Sequence, residues 1–201
     1  MKKLTGLIFI FNLLGIASWA QEVKNEVTVQ GSGFFQKQTT NSGITNDPSN
    51  SGGVNVGYRR NLTKWFAVEG DYDYFRNHQT FETGSGTTFV PTNVHAATAV
   101  GVVKLPAFKT KMPALKVVSP FVLAGGGAMF FDPRGGFVST EQTRGACVYG
   151  GGVDVPLSKH FLVRAQYRGF VYKIPDFDMA SVKTDKYTHS AAPSAGLVFT
   201  F

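Results

Sequence analysis

Between Phe66 and Tyr74 the chain alternates with a period of two: Phe66, Val68, Tyr72 and Tyr74 share one parity, and Glu69, Asp71 and Asp73 share the other. Successive side chains of a β-strand point to opposite faces, so this pattern specifies a strand with one apolar and one charged surface. It recurs where Phe161, Val163, Ala165, Tyr167 and Val171 oppose Arg164, Gln166 and Arg168, and where Val27, Val29 and Phe35 oppose Thr28, Gln30, Ser32 and Gln36. A soluble strand averages about 5–6 residues, whereas a tilted strand crossing a bilayer needs about 9–11. The stretches here have the second length. Composition agrees: charged residues make up 16%, against roughly 25% in an average soluble domain. The 23 glycines and 13% aromatics disfavour disorder, coiled coil and helix bundle. The one cysteine, Cys147, excludes an intrachain disulfide.

The same criteria predict eight strands, over Val27–Lys37, Gly53–Arg60, Trp65–Arg76, Val94–Lys104, Val117–Phe131, Ala146–Val155, Phe161–Tyr172 and His189–Phe201. Between them, residues 38–52, 77–93, 132–145 and 173–188 read as long polar loops. Asn61–Lys64 and Pro156–His160 read as tight turns, with Leu105–Lys116 a longer exception. Alternation alone suits a soluble or a membrane barrel. Strand length, and long loops on one side with short turns on the other, favour an all-β, eight-stranded antiparallel up-and-down transmembrane β-barrel with both termini on the short-turn side.

The first twenty residues read as an address. Lys2 and Lys3 precede an apolar run from Leu4 to Ile16, and Ser18-Trp19-Ala20 supplies small residues for signal-peptidase cleavage after Ala20. The run is shorter than the roughly 20 residues of a spanning helix. The expected organisation is therefore a cleaved signal peptide over 1–20 and one barrel domain over 21–201. The net charge of +7 is spread without a dense basic stripe, so nucleic acid is not an expected partner.

At the C-terminus Ala195, Leu197, Phe199 and Phe201 alternate with Ser194, Gly196, Val198 and Thr200. This resembles the terminal strand of bacterial outer-membrane barrels, which commonly ends in an aromatic residue read by the barrel-assembly machinery. The run from Gly150-Gly151-Gly152 through the turn at Pro156–His160 to Arg164-Ala165-Gln166-Tyr167 resembles a late hairpin of the OmpA/OmpX-type small outer-membrane barrels. The resemblance implies residence in the outer membrane of a Gram-negative cell. It makes Leu197, Phe199 and Phe201 the terminal assembly strand. It also implies outer-membrane lipid as surroundings, the assembly machinery as a partner during biogenesis, and an extracellular ligand held through the long loops. A monomer is expected. The peptidoglycan-binding domain of OmpA proper has no counterpart in this sequence, so cell-wall anchoring does not carry over.

Signs of chemistry are sparse. His78, His95, His160 and His189 are scattered without ligand spacing, and neither metal nor cofactor is expected. Ala124-Gly125-Gly126-Gly127-Ala128 lacks the Lys-Ser/Thr of a phosphate loop; it and Gly150–Gly152 read as small residues making room in a narrow lumen. A lipid deacylase would need Ser, His and an acid grouped in space. The adjacent His189 and Ser190 point to opposite faces of a strand, so no enzyme is expected. Cys147 shares its parity with Tyr149 and Val153, which places it toward lipid.

The charged parity carries the most information. An eight-stranded barrel is just wide enough for its side chains to fill. Glu69, Asp71 and Asp73 on the third strand are expected to face Arg164 and Arg168 on the seventh, the opposite strand in a ring of eight, with Arg59 joining them. Such a cluster reads as a compensated polar plug in a barrel of structural or surface-interaction type. The alternative is the gate of a small ion-conducting pore. A secreted lipocalin-like carrier would need an apolar interior, and the charged parity argues against it.

Overall fold

The computed structural model describes residues 24–36, 39–41, 44–48, 50–83, 86–109, 117–133, 141–174 and 187–201. Residues 1–20 and the expected cleavage at Ala20 lie outside these. Eight long strands, here β1 to β8, run over Asn25–Gln36, Ser51–Asn61, Phe66–Thr83, Gly86–Lys104, Val117–Pro133, Gln142–Pro156, Phe161–Lys173 and Tyr187–Thr200. Each pairs antiparallel with the next, and β1 pairs with β8 from Glu26↔Thr200 to Gln36↔Ser190. The sheet therefore closes into an up-and-down barrel without a free edge along this seam. Closure extends to the last residue: Asn25 N–H donates to the Phe201 carbonyl (2.8 Å) and Phe201 N–H to the Asn25 carbonyl (3.0 Å). Among the described residues no helix is long and apolar enough to cross a membrane.

The barrel is inside-out relative to a soluble domain. Val29, Val56, Tyr72, Val122, Tyr149 and Leu197 point outward and are exposed, whereas Glu26, Arg59, Glu69, Asp73, Arg164 and Arg168 are buried in the lumen. Water offers no reason to expose a continuous belt of Val, Leu, Tyr and Phe; a hydrocarbon surround does. Aromatic residues collect near the end that carries the termini, where Phe161 and Phe199 lie 5.3 Å apart and Phe199 and Phe201 5.8 Å apart, ring centre to centre.

Two connections at that end are the same device. Leu62-Thr63-Lys64-Trp65-Phe66 and Leu157-Ser158-Lys159-His160-Phe161 share the order Leu, hydroxyl, Lys, ring, Phe. In each, the first two N–H groups donate to the Phe carbonyl at 2.9 and 3.0 Å. The hydroxyl of Thr63 or Ser158 accepts from the N–H groups two and three residues on. A short side chain that caps its own backbone is what a tight turn requires.

The opposite end departs from the sequence-based expectation. Residues 77–93, expected as a long loop, belong mostly to β3 and β4, which stay paired up to Thr83↔Gly86. Within 38–52, the short strands Thr39–Asn41 and Ile44–Pro48 pair with each other, and the second pairs with Gln79–Glu82. Residues 77–93 carry five Thr and two Phe, which favour extended backbone. Their alternation of apolar and polar residues stops where an apolar surround would end, so a reading based on hydrophobic period stops there too. Of the loops expected over 132–145 and 173–188, residues 132–133, 142–145, 173 and 187–188 belong to β5, β6, β7 and β8, while 134–140 and 175–186 lie outside the described residues.

Candidate functional site: an ion-paired lumen

The register places the lumen charges in two tiers. In the lower tier, nearer the termini, Arg164 on β7 is the cross-strand neighbour of Asp154 on β6. It grips that carboxylate with two parallel bonds, Nε to Oδ1 at 2.7 Å and Nη2 to Oδ2 at 2.9 Å. The same guanidinium donates to Glu26 Oε2 at 2.6 Å, Thr28 Oγ1 at 3.2 Å and, across the barrel, Glu69 Oε2 at 3.3 Å. Arg59 stands between Glu26 and Glu69 in the ladder; it bonds Glu69 and lies 3.5 Å from Asp154 and 3.8 Å from Glu26. Its guanidinium carbon lies 4.3 Å from the centre of the Phe121 ring, and that of Arg164 lies 5.1 Å from it. Cations over a π-face in a dry site gain on the order of 2 kcal/mol. Gly152 lies opposite Phe121: a Cβ there would stand 2.8 Å from the edge of the ring, 2.5 Å from the Ala165 carbonyl oxygen and 2.7 Å from Gln166 Cβ.

In the upper tier Arg168 crosses the lumen to β3, donating to Asp73 at 3.0 Å and forming an ion pair with Asp71 at 3.1 Å, and donates to Thr98 on β4 at 2.6 Å. Asn55 Nδ2 donates to Asp73 at 2.9 Å. Beside the tier, the Gln166 amide donates to Gln30 at 2.8 Å. All six residues expected in the lumen are therefore brought together there: Glu69 with Arg59 and Arg164, Asp71 and Asp73 with Arg168. Each is at most 7% exposed.

The sequence reading missed part of the cluster. Glu26 and Asp154 supply two further carboxylates, and Lys104 reaches Glu26 at 3.1 Å from the lumen mouth. Glu26 was missed because the first strand was begun at Val27, although it has the parity of Thr28 and Gln30. Asp154 has the parity opposite to Cys147, which the structure leaves outward-facing and exposed.

Above the charges the lumen turns apolar, which a reading of a charge-filled lumen did not anticipate. Phe34 and Phe75 stack with ring centres 4.4 Å apart, Phe131 lies 5.7 Å from Tyr172, and Val94, Met129 and Phe170 complete a fully buried layer. The signal was present in the sequence: Phe75 continues the parity of Asp71 and Asp73. Below the charges, a cavity of about 470 Å³ opens at the termini end, floored by Glu26, Phe121 and Asp154 and rimmed by Lys24, Lys64 and Lys159.

His189 and Ser190 lie on opposite faces. The imidazole shares a hydrogen bond with Tyr149 on the outer wall (2.8 Å), and the buried hydroxyl shares one with Tyr172 in the lumen (2.8 Å). Among the described residues, no three His, Cys, Asp or Glu side chains are grouped to hold a metal ion. Leu197 and Phe199 point outward on β8, with Leu197 beside Val29 and Phe199 between Val27 and Phe161, and Phe201 follows just past the strand, exposed.

The sequence matches the outer membrane protein beta-barrel domain over residues 9–199. A comparison with curated proteins gives no match. Among solved structures, Neisserial surface protein A (NspA) is similar at 14% identity and TM-score 0.61, over 88% of this chain and 97% of that one. The outer membrane protein OprG from Pseudomonas aeruginosa is similar at 10% identity and TM-score 0.60, over 89% and 96%. Ail, the attachment invasion locus protein of Yersinia pestis, is similar at 17% identity and TM-score 0.54, over 90% and 100%.

Proposed function

The chain belongs to the outer membrane protein beta-barrel domain family, and we propose that it is a plugged, surface-presenting barrel of the outer membrane, not a diffusion pore and not an enzyme. Its termini face the periplasm, and the paired extensions of β3 and β4 project outside the cell. One observation carries this reading. Three fully buried arginines, Arg59, Arg164 and Arg168, are tied to carboxylates on neighbouring and opposite strands beneath a closed aromatic layer. A hydrated ion would have to part both.

With the lumen filled, what the protein offers the outside among the described residues is its projecting β3–β4 hairpin and the chain that pairs with it. Function then resides in contact with an extracellular ligand, as the name of Ail suggests for that protein. Outer-membrane lipid surrounds a monomeric barrel, and the assembly machinery reads Leu197, Phe199 and Phe201 during insertion. The cavity at the termini end, reaching the floor of the plug, favours a second reading: a narrow pore gated by the arginines. Planar-bilayer recording separates the two. The wild-type protein, shown to be inserted by its altered gel migration when unheated, leaves the membrane silent under the first reading. Stepwise channels in wild type move the gated pore ahead.

A further inference from the structure

Residues 57–75 and 152–170 align without a gap, 95 positions apart, with Leu62, Lys64, Phe66, Val68, Tyr72 and Phe75 matched by Leu157, Lys159, Phe161, Val163, Tyr167 and Phe170. The two stretches form the hairpins β2–β3 and β6–β7, half a ring apart. At the lumen positions the charge is reversed: Arg59 matches Asp154, Glu69 matches Arg164 and Asp73 matches Arg168. Each of these residues lies against its own match across the barrel, at 3.5, 3.3 and 3.0 Å. Reversal is what such contact requires, because like charges set face to face in a buried site repel and leave each other uncompensated.

Lys64 and Lys159 keep their sign. Both line the cavity of about 470 Å³ at the termini end, with Lys24 and Lys104 beside them. The carboxylates of its floor are already engaged from within. Glu26 accepts from Arg164 at 2.6 Å and from Lys104 at 3.1 Å, and Asp154 accepts from Arg164 at 2.7 and 2.9 Å. Among the described residues no ion pair engages Lys24, Lys64 or Lys159. In the whole sequence, the connections and chain ends on this side carry Lys24, Lys64, Lys109, Lys111, Lys116 and Lys159 against Glu22 and the carboxylate of Phe201. The surplus is positive whichever of them pair. A cleft lined by one sign of charge concentrates the opposite sign from solution.

We propose that this mouth binds a soluble phosphate monoester, its phosphate held by Lys64 and Lys159 and its body against Trp65, Pro120 and Leu162. The cavity has the usual size of a small-molecule site, about 300–1,000 Å³. A phosphate monoester carries a charge of about −1.5 to −2 at neutral pH, so one group answers two lysines where a carboxylate or a phosphodiester answers one. The lysine ammonium is a compact charge on a flexible stem, which suits convergence from two turns. A phospholipid of the adjoining leaflet fits less well. It is a diester, and it lies outside the ring of strands, whereas the cavity ends inside it on Glu26, Phe121 and Asp154. Exposure of the mouth to the periplasm rests on the orientation proposed above; binding does not, so the two fail separately.

The mature chain is refolded in neutral detergent and titrated with phenyl phosphate. Trp65 is the one tryptophan after residue 20 and borders the cavity, so its fluorescence reports the site. Wild type is expected to show a saturable change that fits a single site, several-fold tighter than with benzoate, which carries one charge. Lys64→Ala and Lys159→Ala should each weaken it several-fold, and the double variant should lose it. Lys109→Ala makes the same charge change at the same end but outside the cavity, and should bind as wild type does. All should keep their heat-dependent gel shift. No saturable change in folded wild type, or an equal loss in Lys109→Ala, overturns the site. Displacement of the probe by phosphatidylglycerol added to the micelles assigns the lysines to a lipid headgroup and overturns a soluble ligand. Binding by a barrel whose Lys64 turn is labelled from outside intact cells upholds the site and overturns its periplasmic exposure.

Discussion

Arg168 on β7 reaches across the lumen to Asp73 on the opposite strand β3, Nη1 to Oδ2 at 3.0 Å, with both side chains about 1% exposed. Two residues 95 positions apart in sequence are neighbours because the ring has eight members and their strands stand opposite. The pair spans the barrel and so is part of what closes it. Arg164 and Glu69 do the same one tier lower, at 3.3 Å.

Gly152 and Phe121 should behave as one unit. A β-branched side chain at Gly152 would meet the Ala165 carbonyl and Gln166 Cβ of β7 as well as the edge of the Phe121 ring beneath Arg59 and Arg164. Gly152→Val is predicted to destabilise the barrel by about 1–3 kcal/mol, the usual cost of overpacking. Phe121→Leu added to it should restore part of that loss, because contacting sites are not additive. Urea unfolding from detergent measures both. Additive losses in the double variant would mean that the ring and the glycine do not compete for space.

Deleting Leu197–Phe201 removes the pairing of β8 with Val27 and Val29 and with Phe161 and Val163. Each backbone group left unpaired in hydrocarbon costs several kcal/mol. The truncated chain is therefore predicted to be degraded or aggregated before insertion, and immunoblots of fractionated membranes should lack it. Normal levels in the outer membrane would refute a sealing role for this strand.

The β3–β4 hairpin should be on the cell surface. A short epitope inserted between Thr83 and Gly86, at the tip of the ladder, is predicted to bind antibody on intact cells. One inserted at Lys64, in the turn at the opposite end, should bind only after the outer membrane is permeabilised. The reverse result would invert the orientation.

Conductance should need both layers of the plug to open. Arg168→Ala alone leaves Phe34 stacked on Phe75. Phe75→Ala alone leaves the arginines paired. Each single variant is predicted to stay silent in planar bilayers, and so is their double, whose lower tier of Arg59 and Arg164 is intact; conductance is predicted only when Arg59→Ala and Arg164→Ala are added to that double. A single arginine change that opens stable channels would make the charge tier the whole barrier.

Much of this was legible from a period of two. The third strand's Glu69, Asp71 and Asp73 and the seventh strand's Arg164 and Arg168 fall inward on parity alone, and the ring of eight sets them face to face. Strand limits within an apolar surround follow from the same pattern. It fades where the surround changes: the β3–β4 extension is held by backbone ladders in polar sequence, and no hydrophobic period marks it. The apolar layer was hidden for a related reason. Phe75 and Phe131 have inward parity, but an aromatic residue on a membrane strand is read first as lipid-facing. Phe34 stacks on Phe75 across β2, where a Cβ on Gly53 would stand 2.5 Å from the Phe75 ring, so the contact depends on a glycine between the two strands, which a period of two does not flag. The repeated turn at Leu62–Phe66 and Leu157–Phe161 was open to inspection as a short internal repeat.

The central claim is that the charges are paired across the barrel, and a double-mutant cycle between Arg168 and Asp73 tests it most directly. Arg168→Ala should cost roughly 3–5 kcal/mol of unfolding free energy, because it strands a buried carboxylate. Lys159→Ala, in an exposed turn, should change it by less than about 0.5 kcal/mol. Combining Arg168→Ala with Asp73→Asn should recover about 1 kcal/mol or more, the coupling of residues in direct contact. Strictly additive effects of Arg168→Ala and Asp73→Asn, or an Arg168→Ala variant as stable as Lys159→Ala, would contradict a lumen closed by paired charges.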